Sequence, residues 1–181
     1  MIKKNKDIKY KSAPLSFPGH KRTFRDEYLG MISDEYDDSY IFVDLFGGSG
    51  YLSYLTHIIY PKAHVIYNDF DHYADRIKNI KMTNEIMGRL RDIFKGIQPQ
   101  SKLNECVKAQ VIEALEDYES RGCFVDYESL SCNLCFSNRI MHDLDGFRND
   151  PLYNRVRKNN YDECEDYLDG LEIVSMDYRE L

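Results

Sequence analysis

The chain has 181 residues and a formal net charge of -7, from 24 basic and 31 acidic side chains. That length suits one domain, or one domain with an insertion, and is enough to bury a real core. The acidic balance argues against a general nucleic-acid coat, though not against a local basic patch. No apolar run approaches the roughly 20 residues that span a bilayer.

A basic patch comes first. Lys3, Lys4, Lys6, Lys9 and Lys11 read as a polar tail, partly unstructured, without the apolar stretch of a signal peptide. A cytoplasmic location follows, in which Cys106, Cys123, Cys132, Cys135 and Cys164 are free thiols. Pro14 and Pro18 mark an extended or turning path through "APLSFPGHKRTF". "TFRDEYLGMI" predicts a short helix and "DEYDDSY" an acidic loop. "YIFVDLF", residues 40–46, is a continuous apolar run closed by glycines, the pattern of a buried parallel strand. "YLSYLTHIIY" has apolar residues on a helical period and stops at Pro61; "AHVIYND" is a second β-branched run.

"DHYADRIKNIKMTNEIMGRLRDIFKG" predicts one or two helices, ended by Gly96 and Pro99. Helical pattern returns over 101–122. Residues 123–168 are polar and rich in Asp, Asn and Tyr, and read as helices and loops inserted between strands. "LEIVSMDY" is a third short strand. The fold class is therefore α/β. Its βαβ unit should have parallel strands and a right-handed crossover. Residues 1–100 and 169–181 would form the sheet domain and 101–168 a mainly helical insertion. Cys132 and Cys135 form a lone Cys-x-x-Cys, from which a zinc site with Cys123 and His142 could be drawn. A second spaced pair is missing, and "SLSCNLCFSNRI" reads more simply as a helix turning small residues to a core.

The glycine loop Asp44-Leu45-Phe46-Gly47-Gly48-Ser49-Gly50 lets backbone approach a ligand, ahead of a helix whose first N–H groups are free. No Gly-Lys-Ser/Thr follows, so it is not a phosphate loop, and the spacing of the dinucleotide fingerprint is absent. Asp44 would repel a pyrophosphate and suits a cationic group, such as the amino group of a methionine moiety. The second strand ends in "NDFD". Asp69 stands there 19 residues after Gly50, where a carboxylate takes two ribose hydroxyls. Together these point to S-adenosylmethionine. The plainer alternative is a tight strand–helix turn in which Asp69 caps the next helix.

"PLSFPGHKR", "FVDLFGGSG" and "VIYNDFD" follow one another in that order at short spacings. In this the chain resembles the DNA adenine N6-methyltransferases, the family that includes GATC-methylating enzymes. The likeness covers roughly residues 13–80 well and 171–178 more weakly. It implies a Rossmann-like class I methyltransferase sheet, incomplete at its C-terminal side. It also implies a cofactor site. Phe17, Gly19 and Lys21 would close over the methionine end, with Asp44, Phe46, Gly48 and Gly50 forming the loop around it. Asp69 would hold the ribose, Phe70 would lie against the adenine, and Asp177 would reach the adenine amino group, with Tyr178 beside it. His20 departs from the family, which has a second glycine there, and a bulkier residue should alter the turn. The resemblance further implies double-stranded DNA as partner. Residues 101–168 would stand where the family carries its DNA-recognition insertion. Arg148, Arg155, Arg157 and Lys158 would be the phosphate contacts, although Asp162, Glu163, Glu165 and Asp166 adjoin them.

The family's Asp-Pro-Pro-Tyr motif accepts hydrogen bonds from the adenine amine and stacks on the flipped base. It does not occur in these 181 residues. The only Asp-Pro is Asp150-Pro151, followed by Leu152-Tyr153, and no apolar strand leads into it. No catalytic residue is therefore assigned. Three expectations stand: a truncated methyltransferase, a half-protein completed by a second chain, or a non-catalytic cofactor-binding module. A small-molecule methyltransferase is disfavoured by the N-terminal motif. Without the catalytic strand, the strand over 40–46 becomes a sheet edge with little charge to protect it, so self-association, pairing with a chain that carries the catalytic half, or cover by the chain's own N-terminal segment is expected.

Overall fold

The computed structural model describes residues 8–19, 21–33, 35–136 and 139–181. The chain divides into two compact units, one reaching Ile77 and resuming over Cys164–Leu181, the other Lys78–Glu163.

The first unit is a three-stranded parallel sheet with helices. A 3-10 turn at Lys21–Phe24 leads into α1 (Arg25–Ser33), then β1 (Ile41–Asp44), α2 (Tyr51–Ile59), β2 (His64–Asn68), α3 (Tyr73–Lys78) and, after the second unit, β3 (Glu172–Val174). The sheet order is β1-β2-β3, with Ile41 beside His64 and Asp44 beside Tyr67, and with Ile66 beside Glu172 and Asn68 beside Val174. Helix α2 forms because Tyr51, Tyr54 and Leu55 recur on one buried face, and it ends at Tyr60 because Pro61 follows. Among the described residues no helix is long and apolar enough to cross a membrane.

β1 departs from the expectation of a strand buried on both faces. Phe42 is half-buried and stacks on Tyr60 at 5.2 Å, but Ile41 is 63 % and Val43 46 % exposed. The alternation of a strand explains this: successive side chains point to opposite faces, and α2 covers one of them. The strand is also shorter than 40–46, because Leu45 and Phe46 already belong to the glycine loop.

The N-terminal segment is held rather than loose from Ile8 onward. Tyr51 Oη donates to the Lys11 carbonyl at 2.7 Å, and the Tyr10 amide donates to Tyr54 Oη at 3.1 Å. Tyr73 Oη accepts from the Leu15 amide at 2.9 Å and donates to its carbonyl at 3.0 Å. Lys9 pairs with Asp166, which holds that carboxyl below its usual range and raises the lysine. Burial, with the Asp166 carboxylate second, pushes the Tyr10 hydroxyl up to about 12. Tyrosines thus do what a helix or strand would do elsewhere, satisfying an irregular backbone. Lys3, Lys4 and Lys6 lie outside the described residues.

The second unit is helical: α4 (Ile80–Ile93), α5 (Glu105–Ser120), α6 (Tyr127–Leu134) and α7 (Leu144–Asn149). Its core joins Ile86, Met87 and Leu90 of α4 to Val111 and Leu115 of α5 and to Leu130, Phe147 and Leu152. This is why the unit begins at Lys78 and not at 101. The apolar stripe of α4 packs on α5. Each later helix opens on a cap. Asn104, Asp126 and Asp143 accept from the amides of Val107, Ser129 and Gly146. "SLSC" is helical as expected, with Ser129 and Ser131 buried in α6. Burial pushes the Cys135 thiol up to about 11, and no metal-binding group is found among the described residues. Asp150 to Tyr153 serves structure here: Asp150 pairs with Arg139, Leu152 is buried, and Tyr153 bridges to Lys102.

Candidate functional site

A cavity of about 400 Å³ opens at the carboxyl ends of the three strands, within the first unit. That is where open parallel sheets take their ligands. Its position follows from how the strand tips are tied. Asn68, at the end of the central strand, is buried. Its amide nitrogen donates to the carbonyls of Leu45 at 3.1 Å and Met176 at 2.9 Å, and its amide oxygen accepts from the Met176 amide at 3.1 Å. One side chain therefore binds the segments that leave β1 and β3, and it also lines the cavity.

The glycine loop rests on the neighbouring Tyr67. A Cβ on Gly47 would stand 2.3 Å from the Tyr67 ring and 2.9 Å from the Asn68 carbonyl, so only glycine fits. The Tyr67 hydroxyl lies 2.6 Å from the Gly48 carbonyl and 2.9 Å from Asp69 Oδ1, and burial, followed by the Asp69 charge, raises it far above its usual range. Gly50 caps α2 in the left-handed region at φ +69, where a Cβ would meet Leu168 at 2.9 Å. The loop's shape is thus dictated from beneath, by packing, before any ligand is considered.

The eleven residues expected to bind cofactor divide into two groups. Phe17, Lys21, Phe46, Gly48, Phe70, Asp177 and Tyr178 line the cavity, although they come from four separate stretches of chain. Phe46 and Phe70 are each about two-thirds exposed, and the Phe46 ring lies 5.1 Å from Tyr178. Lys21 Nζ donates to the Phe46 carbonyl at 2.6 Å, fastening the N-terminal segment to the loop. Asp177 is occupied. Arg179 Nε and Nη2 clasp its two oxygens at 2.8 and 2.6 Å and hold the carboxyl below its usual range, so the clasp must open before Asp177 can meet an adenine amine.

Gly19, Asp44, Gly50 and Asp69 do not line the cavity. Asp44 accepts from Ser53 Oγ at 2.8 Å and stands 3.8 Å from Lys21 Nζ, close behind the loop. Asp69 is 4 % exposed and caps α3. Its Oδ1 accepts from the Tyr73 amide at 2.7 Å and its Oδ2 from the Ala74 amide at 2.8 Å. The capping role wins because both oxygens sit over the helix's free N–H groups. Residues that the sequence did not single out, Asn68, Asp71 and Met176, do line it. His20, expected to disturb the turn after Gly19, lies outside the described residues.

Most of the expected phosphate contacts in the second unit are engaged at home. Arg148 pairs with Glu116 and Asp145. Arg155 donates to the Cys135 carbonyl and lies 4.6 Å over the Phe136 ring, while Arg157 lies 3.9 Å over the Tyr161 ring. Lys158 is exposed.

Fold and cavity together define an α/β protein with a cavity at the tips of a three-stranded parallel sheet. The chain is a distant homologue of a Haemophilus influenzae protein named "Putative methyltransferase", with 33% identity over 176 residues, covering 95% of this chain and 58% of that protein. The chain thus spans little more than half the length of this relative. No family model and no solved structure matches it.

Proposed function

We propose that the cavity takes S-adenosylmethionine and that the chain is the cofactor-binding part of a DNA adenine N6-methyltransferase. One observation carries the reading. Phe17 with Lys21, Phe46 with Gly48, Phe70, and Asp177 with Tyr178 are far apart in sequence, yet they line a single cavity at the strand tips. They are the residues on which the resemblance to that family rests. The relative's name supports methyl transfer in general; adenine in DNA as acceptor rests on the resemblance.

The residues present fit the cofactor chemically. The cavity has the size of a small-molecule site, with aromatic walls for a nucleobase and a few polar groups to orient it. Lys21, on the cavity wall, offers a cation to the carboxylate of an amino-acid end. When bound, S-adenosylmethionine supplies a methyl group activated on a sulfonium. The chain's own residues then hold and orient it: Phe17 covers the glycine loop, and Asn68 keeps the strand tips in register beneath it.

Titration calorimetry of the full chain with S-adenosylhomocysteine should show saturable binding, and no heat at millimolar ligand would sink the reading. The isolated chain should leave adenine-containing DNA at background in a labelled-methyl assay, since no residue in it is assigned to activate the amine. Clear incorporation would return attention to Asp150–Tyr153.

A further inference from the structure

Three consecutive side chains outside the cavity each hold a different part of its wall from behind. They sit on the 3-10 turn Glu165–Leu168 that precedes β3. Asp166 grips the N-terminal segment: Lys9 Nζ donates to its Oδ1 and Oδ2 at 2.8 and 2.6 Å, and Tyr10 Oη donates to Oδ1 at 2.5 Å. Tyr167 is buried and donates to the Ser49 carbonyl of the glycine loop at 3.1 Å. Leu168 stands against Gly50, where an added Cβ would meet it at 2.9 Å. None of the three lines the cavity.

The grip on the segment and the grip on the loop meet at one ring. Tyr10 lies edge-on to Tyr167 at 5.1 Å and to Tyr54 at 5.5 Å, and Tyr54 stacks on Tyr167 at 5.2 Å. From Tyr10 the segment runs to Leu15, which is buried and fixed by Tyr73, and then to Phe17, whose ring covers Gly48 at the cavity. The two fastenings differ in kind. The Leu15–Tyr73 bonds are buried, whereas the Lys9 and Asp166 side chains are 59% and 49% exposed. An exposed ion pair is weak and screened by salt, so the outer fastening can open while the inner one holds. Opening withdraws the Tyr10 ring from Tyr167 and wets the hydrogen bond to Ser49, which is stronger in a packed site than beside water.

We propose that Glu165–Leu168 is a latch that couples the N-terminal segment to the glycine loop, with Asp166 and Tyr167 as positioning residues for a ligand held in the cavity. Release of the segment at Asp166 loosens the loop at Ser49 and lowers the cavity's affinity; only that affinity rests on the S-adenosylmethionine reading. Amide exchange followed by NMR on the full chain is the test. The Tyr10 amide, on Tyr54 Oη, reports the segment. The Gly50 amide, on the Gly47 carbonyl, reports the loop, and the Asp69 amide, on the Val174 carbonyl, reports the sheet. Asp166→Ala should speed exchange at Tyr10 by more than about tenfold and at Gly50 by about threefold to tenfold, with Asp69 unchanged. Tyr167→Phe removes only the hydroxyl, so it should speed Gly50 and leave Tyr10 within about twofold of wild type. Both variants should weaken S-adenosylhomocysteine binding by about threefold to tenfold in calorimetry. An Asp166→Ala chain that frees Tyr10 but leaves Gly50 at the wild-type rate would overturn the latch. So would equal acceleration of all three amides, the mark of general destabilisation. If both variants bind as tightly as a binding-competent wild type, their positioning role is overturned. A wild type that does not bind S-adenosylhomocysteine would overturn the cofactor reading, and the exchange rates would still decide the latch.

Discussion

The two units use their polar and apolar surface in opposite ways. In Lys78–Glu163 nearly everything of note is spent internally. The apolar faces of four helices meet in one core, α5, α6 and α7 open on side-chain caps, and Arg139, Arg148, Arg155 and Arg157 lie on carboxylates, a carbonyl or aromatic rings. The sheet unit leaves surface unspent. Ile41 and Val43 lie bare on an outer strand, and Phe46, Phe70 and Tyr178 stand out at the strand tips. Exposed apolar groups gathered in one place mark where something binds, whereas a satisfied surface marks self-sufficiency. The difference teaches where to look for function: in the unit with the sheet, not in the one with the most arginines.

If that contrast is real, glycines in the two units should respond differently to one added methyl group. Gly47→Ala drives a Cβ into the buried Tyr67 ring and the Asn68 carbonyl, which can give little ground. Denaturant unfolding should show a loss of about 3 kcal/mol, with binding of S-adenosylhomocysteine gone. Gly146→Ala meets the Met141 side chain first, Sδ at 2.9 Å and Cβ at 3.1 Å, and sits inside α7, where alanine is the better helix former. It should stay within about 1 kcal/mol of wild type. Equal costs would break the comparison.

A smaller effect is expected at the strand-tip clasp. Asn68→Ala removes three hydrogen bonds and should cost about 2 kcal/mol. Amide exchange at Met176 should accelerate more than exchange in α5. Uniform acceleration throughout would mean that Asn68 supports general stability and not the tips.

The smallest change in stability, and the sharpest in behaviour, belongs to the outer strand. Among the described residues β1 pairs on one side only, with bare Ile41 and Val43 at its edge, so a second copy of the chain should add to it. Light scattering should show mass rising with concentration. Val43→Lys should suppress that rise while moving stability by no more than about 0.5 kcal/mol, as an exposed position allows. A wild-type chain that stays monomeric as concentration rises would show the edge to be harmless.

Much of this was legible in the amino-acid order. The strand–glycine-loop–helix–strand unit was plain because apolar runs and glycines are local signals, and β1, α2, β2 and β3 fall where they were expected. The seven residues that share the cavity were legible through motif order. The helical reading of "SLSC" also held, in α6. α7 was not legible, since six residues carry too little periodicity, and Asp143, its cap, was the available sign. Tertiary structure alone decided the rest, because burial and partnership depend on residues distant in the chain. Asp69 and Asp71 have the same side chain two positions apart. Only the turn at His72 and the free amides of α3 make one a buried cap and leave the other on the cavity wall. Likewise "YIFVDLF" reads as a strand covered on both sides, yet coverage is a property of neighbours, and among the described residues Ile41 and Val43 of β1 stay exposed.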